Sequence, residues 1–310
     1  MIDIYQAAHQ TAIVADRSHL GLLQLSGATR LDLIHRMSTQ AVNGLQAGQG
    51  AATILTTDIG RMIDRLLLYA DDQVVYALTG ENNGVGIARY LLRFVFFNDD
   101  FRINPLDHAL LGVYGRRAGE MLAELVGQGV DWPLHHWREL TWGDSWLAVH
   151  RTDGLAGDGY LVRCPAGAKP QLWQQLEQRG VVPAGENDLE YLRLEAGLPR
   201  FGREITLDYI PLEANLWADV SFKKGCYIGQ EIIARMESRG KLAKKLVRLR
   251  PERPLSLGLE VLANGSPAGS VTSVADGPAG PLALAYLKTT SLNSQPQPNY
   301  TAGDIPLTLF

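Results

Sequence analysis

The sequence predicts an α+β fold that ends in a small β-barrel, on three observations. Runs with strand and helix periodicity mix along the chain without a regular βαβ alternation. Two helix-like runs stop at Gly180 and Gly197, as glycine just past a periodic stretch stops a helix. Beyond residue 245 the pattern changes to short strands separated by Gly/Pro-rich turns.

In chain order, the spacing predicts a helix over 2–14, a turn and strand over 17–26, and a helix over 27–37 with Leu31 and Ile34 on one face. Gly44, Gly48 and Gly50 mark a loop. Strands rich in Ile, Leu, Val and Tyr follow at 52–57, 65–70 and 73–79. Helices are expected over 86–97 and 118–126; in the second, Ala118, Met121, Leu122, Leu125 and Val126 keep the 3.6 period. A loop over 127–137 precedes strands at 145–150 and 159–163, then helices at 170–179 and 187–196. A further helical pattern runs over 228–237, with Ile228, Ile232, Ile233 and Met236 apolar. The barrel strands are expected at 246–249, 258–262, 269–274 and 282–288.

The 310 residues suffice for two or three domains, and 46% hydrophobic with 20% charged residues is ordinary for a globular chain. A net charge of −4 argues against a dominant nucleic-acid surface. Two cysteines, Cys164 and Cys226, give neither a disulfide framework nor metal-ligand spacing, which suits a reducing compartment. The opening residues lack signal-peptide character, and no apolar run reaches membrane-spanning length. The expectation is a cytoplasmic protein with no nucleic-acid or membrane partner and no metal.

The run from Lys223 to Glu231, Lys-Lys-Gly-Cys-Tyr-Ile-Gly-Gln-Glu, is the most informative stretch. It sets Cys226 between Gly225 and Gly229 at the mouth of the 228–237 helix. The helix dipole there favours an anion, and Lys223 and Lys224 push the same way, so the thiolate is expected to form readily. The alternative is a buried structural cysteine, a common fate of free thiols. Asn83-Gly84-Val85-Gly86 follows a strand, but it lacks the full glycine fingerprint of a dinucleotide site and reads as a turn that opens a helix. Asp158, in Gly154-Leu155-Ala156-Gly157-Asp158-Gly159-Tyr160, reads as a hairpin turn or as a carboxylate held for a flat heterocycle. The basic residues between Lys241 and Arg253 read as a solvated face.

These segments in order resemble the folate-binding superfamily of the glycine-cleavage T-protein, the aminomethyltransferase. The likeness rests on Leu25-Ser26-Gly27, Gly48-Gln49-Gly50, Ile63-Asp64, Arg193-Leu194-Glu195-Ala196-Gly197-Leu198, Pro211-Leu212-Glu213 and Val271-Thr272-Ser273. The Lys224–Glu231 string with its cysteine is similar to the YgfZ branch, a family linked to tetrahydrofolate and to maintenance of iron–sulfur enzymes. The resemblance implies a three-domain cloverleaf: a split first domain over 1–50 and 140–240, a second over 51–139, and a terminal barrel over 241–310.

The resemblance also implies a site. Cys226 would be the reactive group with Lys224 favouring its thiolate, and Asp158, Tyr160, Arg193, Gly225 and Tyr227 would contact tetrahydrofolate. The catalytic aspartate of the aminomethyltransferases is expected on the helix after Asn82, where this chain has no acid up to Phe97. The leading expectation is therefore a tetrahydrofolate-binding monomer that supports iron–sulfur cluster assembly or repair together with client or assembly proteins. An aminomethyltransferase is the alternative. A folate-binding regulator without chemistry is the third.

Overall fold

The computed structural model describes residues 3–310. It opens with α1 (Ile4–Gln10), β1 (Ile13–Asp16), β2 (Leu20–Ser26) and α2 (Arg30–Met37). The expected helix over 2–14 thus divides: α1 stops near Thr11, and the β-branched pair Ile13-Val14 goes into a sheet (residue 2 lies outside the described residues). A meander of β3 (Gly50–Thr56), β4 (Met62–Ala70) and β5 (Val74–Glu81) leads into α3 (Gly84–Leu92) and the short β6 (Arg102–Pro105). Next come β7 (Ala109–Gly115), α4 (Ala118–Val126), β8 (Trp137–Trp142), β9 (Ser145–Thr152), β10 (Asp158–Cys164), α5 (Lys169–Gln178), β11 (Val182–Pro183) and α6 (Glu186–Ala196). A long irregular segment reaches α7 (Gln230–Arg239). Then follow β12 (Lys244–Pro251), β13 (Glu260–Ala263), β14 (Ser266–Ala275), β15 (Leu282–Lys288), α8 (Thr289–Leu292), β16 (Tyr300–Ala302) and β17 (Ile305–Leu309).

Three sheet bodies result. One has the order β3-β4-β5-β2-β6, the second β11-β1-β7-β10-β9-β8, and the third closes into the barrel β12-β15-β14-β13-β16-β17. Closure removes the open edges that short terminal strands would otherwise expose. The α+β class and the terminal barrel are as the sequence predicts. Strand pairing does not follow the expected boundaries at 50 and 139. The β2 strand pairs with β5, so residues 20–26 and 50–81 share one sheet, while β7 pairs with β1 and β10 in the other.

The two open sheets pack face to face. Ile13, Leu110, Tyr114, Ala148 and Leu161 of the second sheet meet Leu22, Tyr69 and Leu78 of the first. The outer face of the first sheet is covered by α2 and α3 through Leu33, Ile34, Ile87 and Leu91, and that of the second by α4 and α5 through Leu122, Leu125, Leu172 and Leu176. Each such fully buried leucine or isoleucine contributes about 1.5–3 kcal/mol. A separate cluster joins Ile54 and Met62, Leu194 of α6, and Leu246, Leu284 and Tyr286 of the barrel. Among the described residues no helix is long and apolar enough to cross a membrane.

Candidate functional site

A cavity of about 190 Å³ lies where the facing sheets part at one end. Leu67, Leu78, Leu161 and Leu189 give it apolar walls, and the chain after α6 closes it with Leu198 and Phe201. Charged side chains enter from β4, β5 and α6, from the turn before β2 through Arg17, and from the segments after β9 and α6 through Asp153 and Arg200. Most are already matched. Arg200 donates to Glu81 at 2.6 Å, to Glu190 at 3.0 Å and to Glu186 at 3.1 Å. Burial tends to raise the Glu81 carboxyl, but contacts from His19 and Arg200 outweigh it and bring it down to about 2. Arg17 leaves its buried Nε without a partner.

Asp64 differs from these acids. It is fully buried on β4, and among the described residues no cation pairs with it. Its Oδ1 accepts the Arg65 backbone N–H at 2.8 Å, and its Oδ2 accepts the Gly80 N–H and the Asn83 Nδ2, both at 2.9 Å. Burial pushes the carboxyl up to about 6, and the three N–H donors oppose that rise without cancelling it. The adjacent guanidinium turns elsewhere: Arg65 donates to Asp153 and to Asp219, each at 2.6 Å. The result is an acid on the wall of an apolar cavity that changes protonation near neutral pH, the property a proton donor or acceptor needs.

The Cys226 segment lies outside this cavity. The last helix before the barrel begins at Gln230, capped by Gly229 with φ 82°, so Cys226 precedes its first turn and stands exposed to solvent. This corrects the expected position at the helix N-terminus, since the dipole acts only within the terminal turn. Lys224 also has a different role. Its Nζ donates to the carbonyls of Ser38 at 2.7 Å and Gln40 at 2.9 Å, and to that of His35. It therefore ties the segment to the end of α2 instead of facing the thiol. Burial pulls this ammonium down to about 8. Tyr227 is buried against Ile210, Leu212 and Ile233, which pushes its phenol up to about 12. Gly225 is exposed, and a Cβ there would meet nothing within 4 Å. Thr56 Oγ1 donates to Ile228 O at 2.6 Å, and a Cβ at Gly229 would lie 2.4 Å from Thr57 O, so only glycine lets the segment close onto the first sheet.

Of the residues expected at the site, only Arg193 lines the cavity. Its guanidinium is fully engaged by Glu190, Glu204, Ser273 Oγ and Leu198 O, which clamps α6 to the barrel. Asp158 and Tyr160 point away from it. Arg151 binds Asp158 at 2.6 Å and the Tyr160 hydroxyl at 2.7 Å, and Tyr160 packs in the core under α4 and α5. On β10 the cavity receives Leu161, of opposite parity to both. The acid sought after Asn82 is absent from α3, and the cavity takes its acid from β4 as Asp64. The signal was present in Met62-Ile63-Asp64-Arg65-Leu66: a carboxyl in the buried register of an alternating strand.

Residues 3–224 match the family of the GCVT N-terminal domain. A chloroplastic protein of Arabidopsis thaliana, a presumed transferase by name, is 26% identical over 281 residues, which cover 89% of this chain and 65% of that protein. The chain thus spans less than two thirds of that relative's length. The aminomethyltransferase of Bacillus subtilis is 28% identical over 284 residues, covering 88% of this chain and 78% of that one. In fold, the chain is similar to the glycine cleavage system aminomethyltransferase T from Bartonella henselae. That match has a TM-score of 0.86 at 23% identity and covers 99% of this chain and 87% of the other.

Proposed function

This chain belongs to the family of the GCVT N-terminal domain, and from that premise we propose that it binds tetrahydrofolate or a derivative in the cavity between its sheets and supports iron–sulfur cluster assembly or repair through Cys226. The observation that carries the reading is the cavity itself: apolar walls, an uncompensated acid at Asp64, and a thiol held outside it. A reduced pterin has a flat pyrimidinone half, a puckered saturated half and several N–H donors. Leu67, Leu78 and Leu161 suit its faces, Asp64 and Glu190 its N–H groups, and the unpartnered Arg17 Nε its carbonyl. When bound, a reduced folate supplies a nitrogen that carries one-carbon units. Asp64 would hold or move a proton beside that ligand, while the leucines and Phe201 exclude water.

The exposed thiol acts elsewhere. A single cysteine supplies one thiolate, whereas a [4Fe–4S] cluster takes four, so partner cysteines provide the rest. Exposure of Cys226 on a tied-down segment suits contact with such a partner in a reducing, cytoplasm-like compartment.

Asp64 favours a second reading, one-carbon transfer of the aminomethyltransferase kind, since it supplies the cavity acid that α3 lacks. Two measurements separate the readings. Under the first, Cys226→Ser binds tetrahydrofolate like the parent protein but fails to restore iron–sulfur enzyme activity in cells lacking the native protein; full restoration overturns it. Under the second, the purified chain forms methylene-tetrahydrofolate from a lipoyl-bound aminomethyl group, and Asp64→Asn abolishes that activity. Folate binding with neither effect leaves a binding regulator.

A further inference from the structure

The Asn83-Gly84-Val85-Gly86 turn has no part in the functions above, yet it is built against Asp64. Asn83 precedes α3, and its amide Nδ2 donates to Asp64 Oδ2 at 2.9 Å. Gly86 makes room for that amide, and Gly21 for the backbone that follows it. A Cβ at Gly86 would stand 2.5 Å from Asn83 Oδ1, and a Cβ at Gly21 would stand 2.6 Å from the Gly84 nitrogen. The start of α3 is therefore pressed onto β2 at Gly21, and residue 86 puts no side chain against the amide.

We propose that Asn83 is a positioning residue for Asp64 and that the Gly84–Gly86 turn is its mount. The proposal rests on the reading of Asp64 as the working acid of the cavity. With Asn83 Nδ2 and Gly80 N–H both on Oδ2, that oxygen is filled as an acceptor. The Oδ1 atom takes only the Arg65 N–H, so the proton resides on Oδ1 and is exchanged there.

The other charged groups on the cavity wall are paired among themselves: Asp153 with Arg65, Glu81 and Glu186 with Arg200, Glu190 with Arg193. Arg17 reaches Glu186 at 3.8 Å. None of them faces Asp64 at ion-pair distance, which leaves the amide as the side-chain control on this acid.

Ligand-free protein tests this directly. The carboxyl carbon of Asp64 is followed by NMR through a pH titration, with Asp64→Asn identifying its signal. Asn83→Leu removes the donor and is expected to move the midpoint up by about one pH unit. Gly86→Ala displaces the amide and is expected to move it the same way. The double variant should do no more than Asn83→Leu alone, because both changes remove one interaction. A midpoint unchanged in a folded Asn83→Leu protein overturns the proposal, as does an additive double variant. The titration needs no folate, so loss of the folate reading would leave its outcome unaffected. Should Asn83→Leu fail to fold, Asn83→Ser, with a shorter donor, is expected to give an intermediate midpoint; the parent midpoint in that variant overturns the proposal equally.

Discussion

Arg65 donates to Asp219 across 2.6 Å, and this pair joins a wall of the cavity to the segment that carries Cys226 seven positions later. Arg65 follows Asp64 on β4 and also holds Asp153. Asp219 sits in a short turn whose carbonyl accepts from Thr39 at 2.6 Å. The cavity and the thiol segment therefore share one ion-pair network, although they are separate places on the molecule.

Asp219→Ala leaves the buried Arg65 half paired. It should destabilise the protein by about 2–4 kcal/mol in urea unfolding, since removing one partner of a buried pair strands the other. The rate of Cys226 alkylation should rise in the same variant as its segment loosens. An unchanged rate would separate the segment from the network.

The elevated Asp64 carboxyl makes stability depend on pH. In the folded state it titrates near 6, against 3.8 for an ordinary aspartate, so the native state binds the proton more tightly. Its contribution is complete below about 3.8 and is lost as pH rises through about 6. Relative to Asp64→Asn, the parent protein should gain about 2 kcal/mol between pH 7.5 and pH 4.5, read from urea midpoints at the two values. A gap that does not vary with pH would contradict the burial argument.

Glu204 is fully buried between Arg193 Nη1 at 3.0 Å and Ser273 Oγ at 2.6 Å, and it also accepts the Arg200 N–H at 3.0 Å. Glu204→Ala takes a buried carboxylate from Arg193, which keeps Glu190, and leaves Ser273 Oγ and the Arg200 N–H without their acceptor. A loss of about 3–5 kcal/mol is expected. Thermal unfolding should show the barrel loosening first, because Ser273 lies on β14.

Cys226 is a free cysteine exposed to solvent. Cys226→Ser should change unfolding free energy by less than about 0.5 kcal/mol, which allows any loss in cells to be read as loss of the thiol.

Much of the fold was legible from periodicity. The α4 helix falls on 118–126 as expected, and β15 on 282–288. By contrast, Ala109 to Gly115 is buried throughout, so β7 shows no alternation to read, and two glycines dilute it. The same strand ties β1 to β10, a pairing between segments distant in sequence that no local pattern announces. The site was less legible. Asp158 and Tyr160 lie one residue out of register with the cavity-facing Leu161, and strand parity cannot be assigned until the opposing sheet is known. Lys224 looked like a partner for the thiol by proximity in sequence, but its acceptors lie far away at residues 35–40.

A crystal structure of the protein with 5-formyltetrahydrofolate decides whether the cavity beside Asp64 takes a reduced folate. Density for the bicyclic ring is expected between Leu78 and Leu161, within hydrogen-bond distance of Asp64. An empty cavity at saturating ligand, or a ring bound at another surface, would refute the folate site.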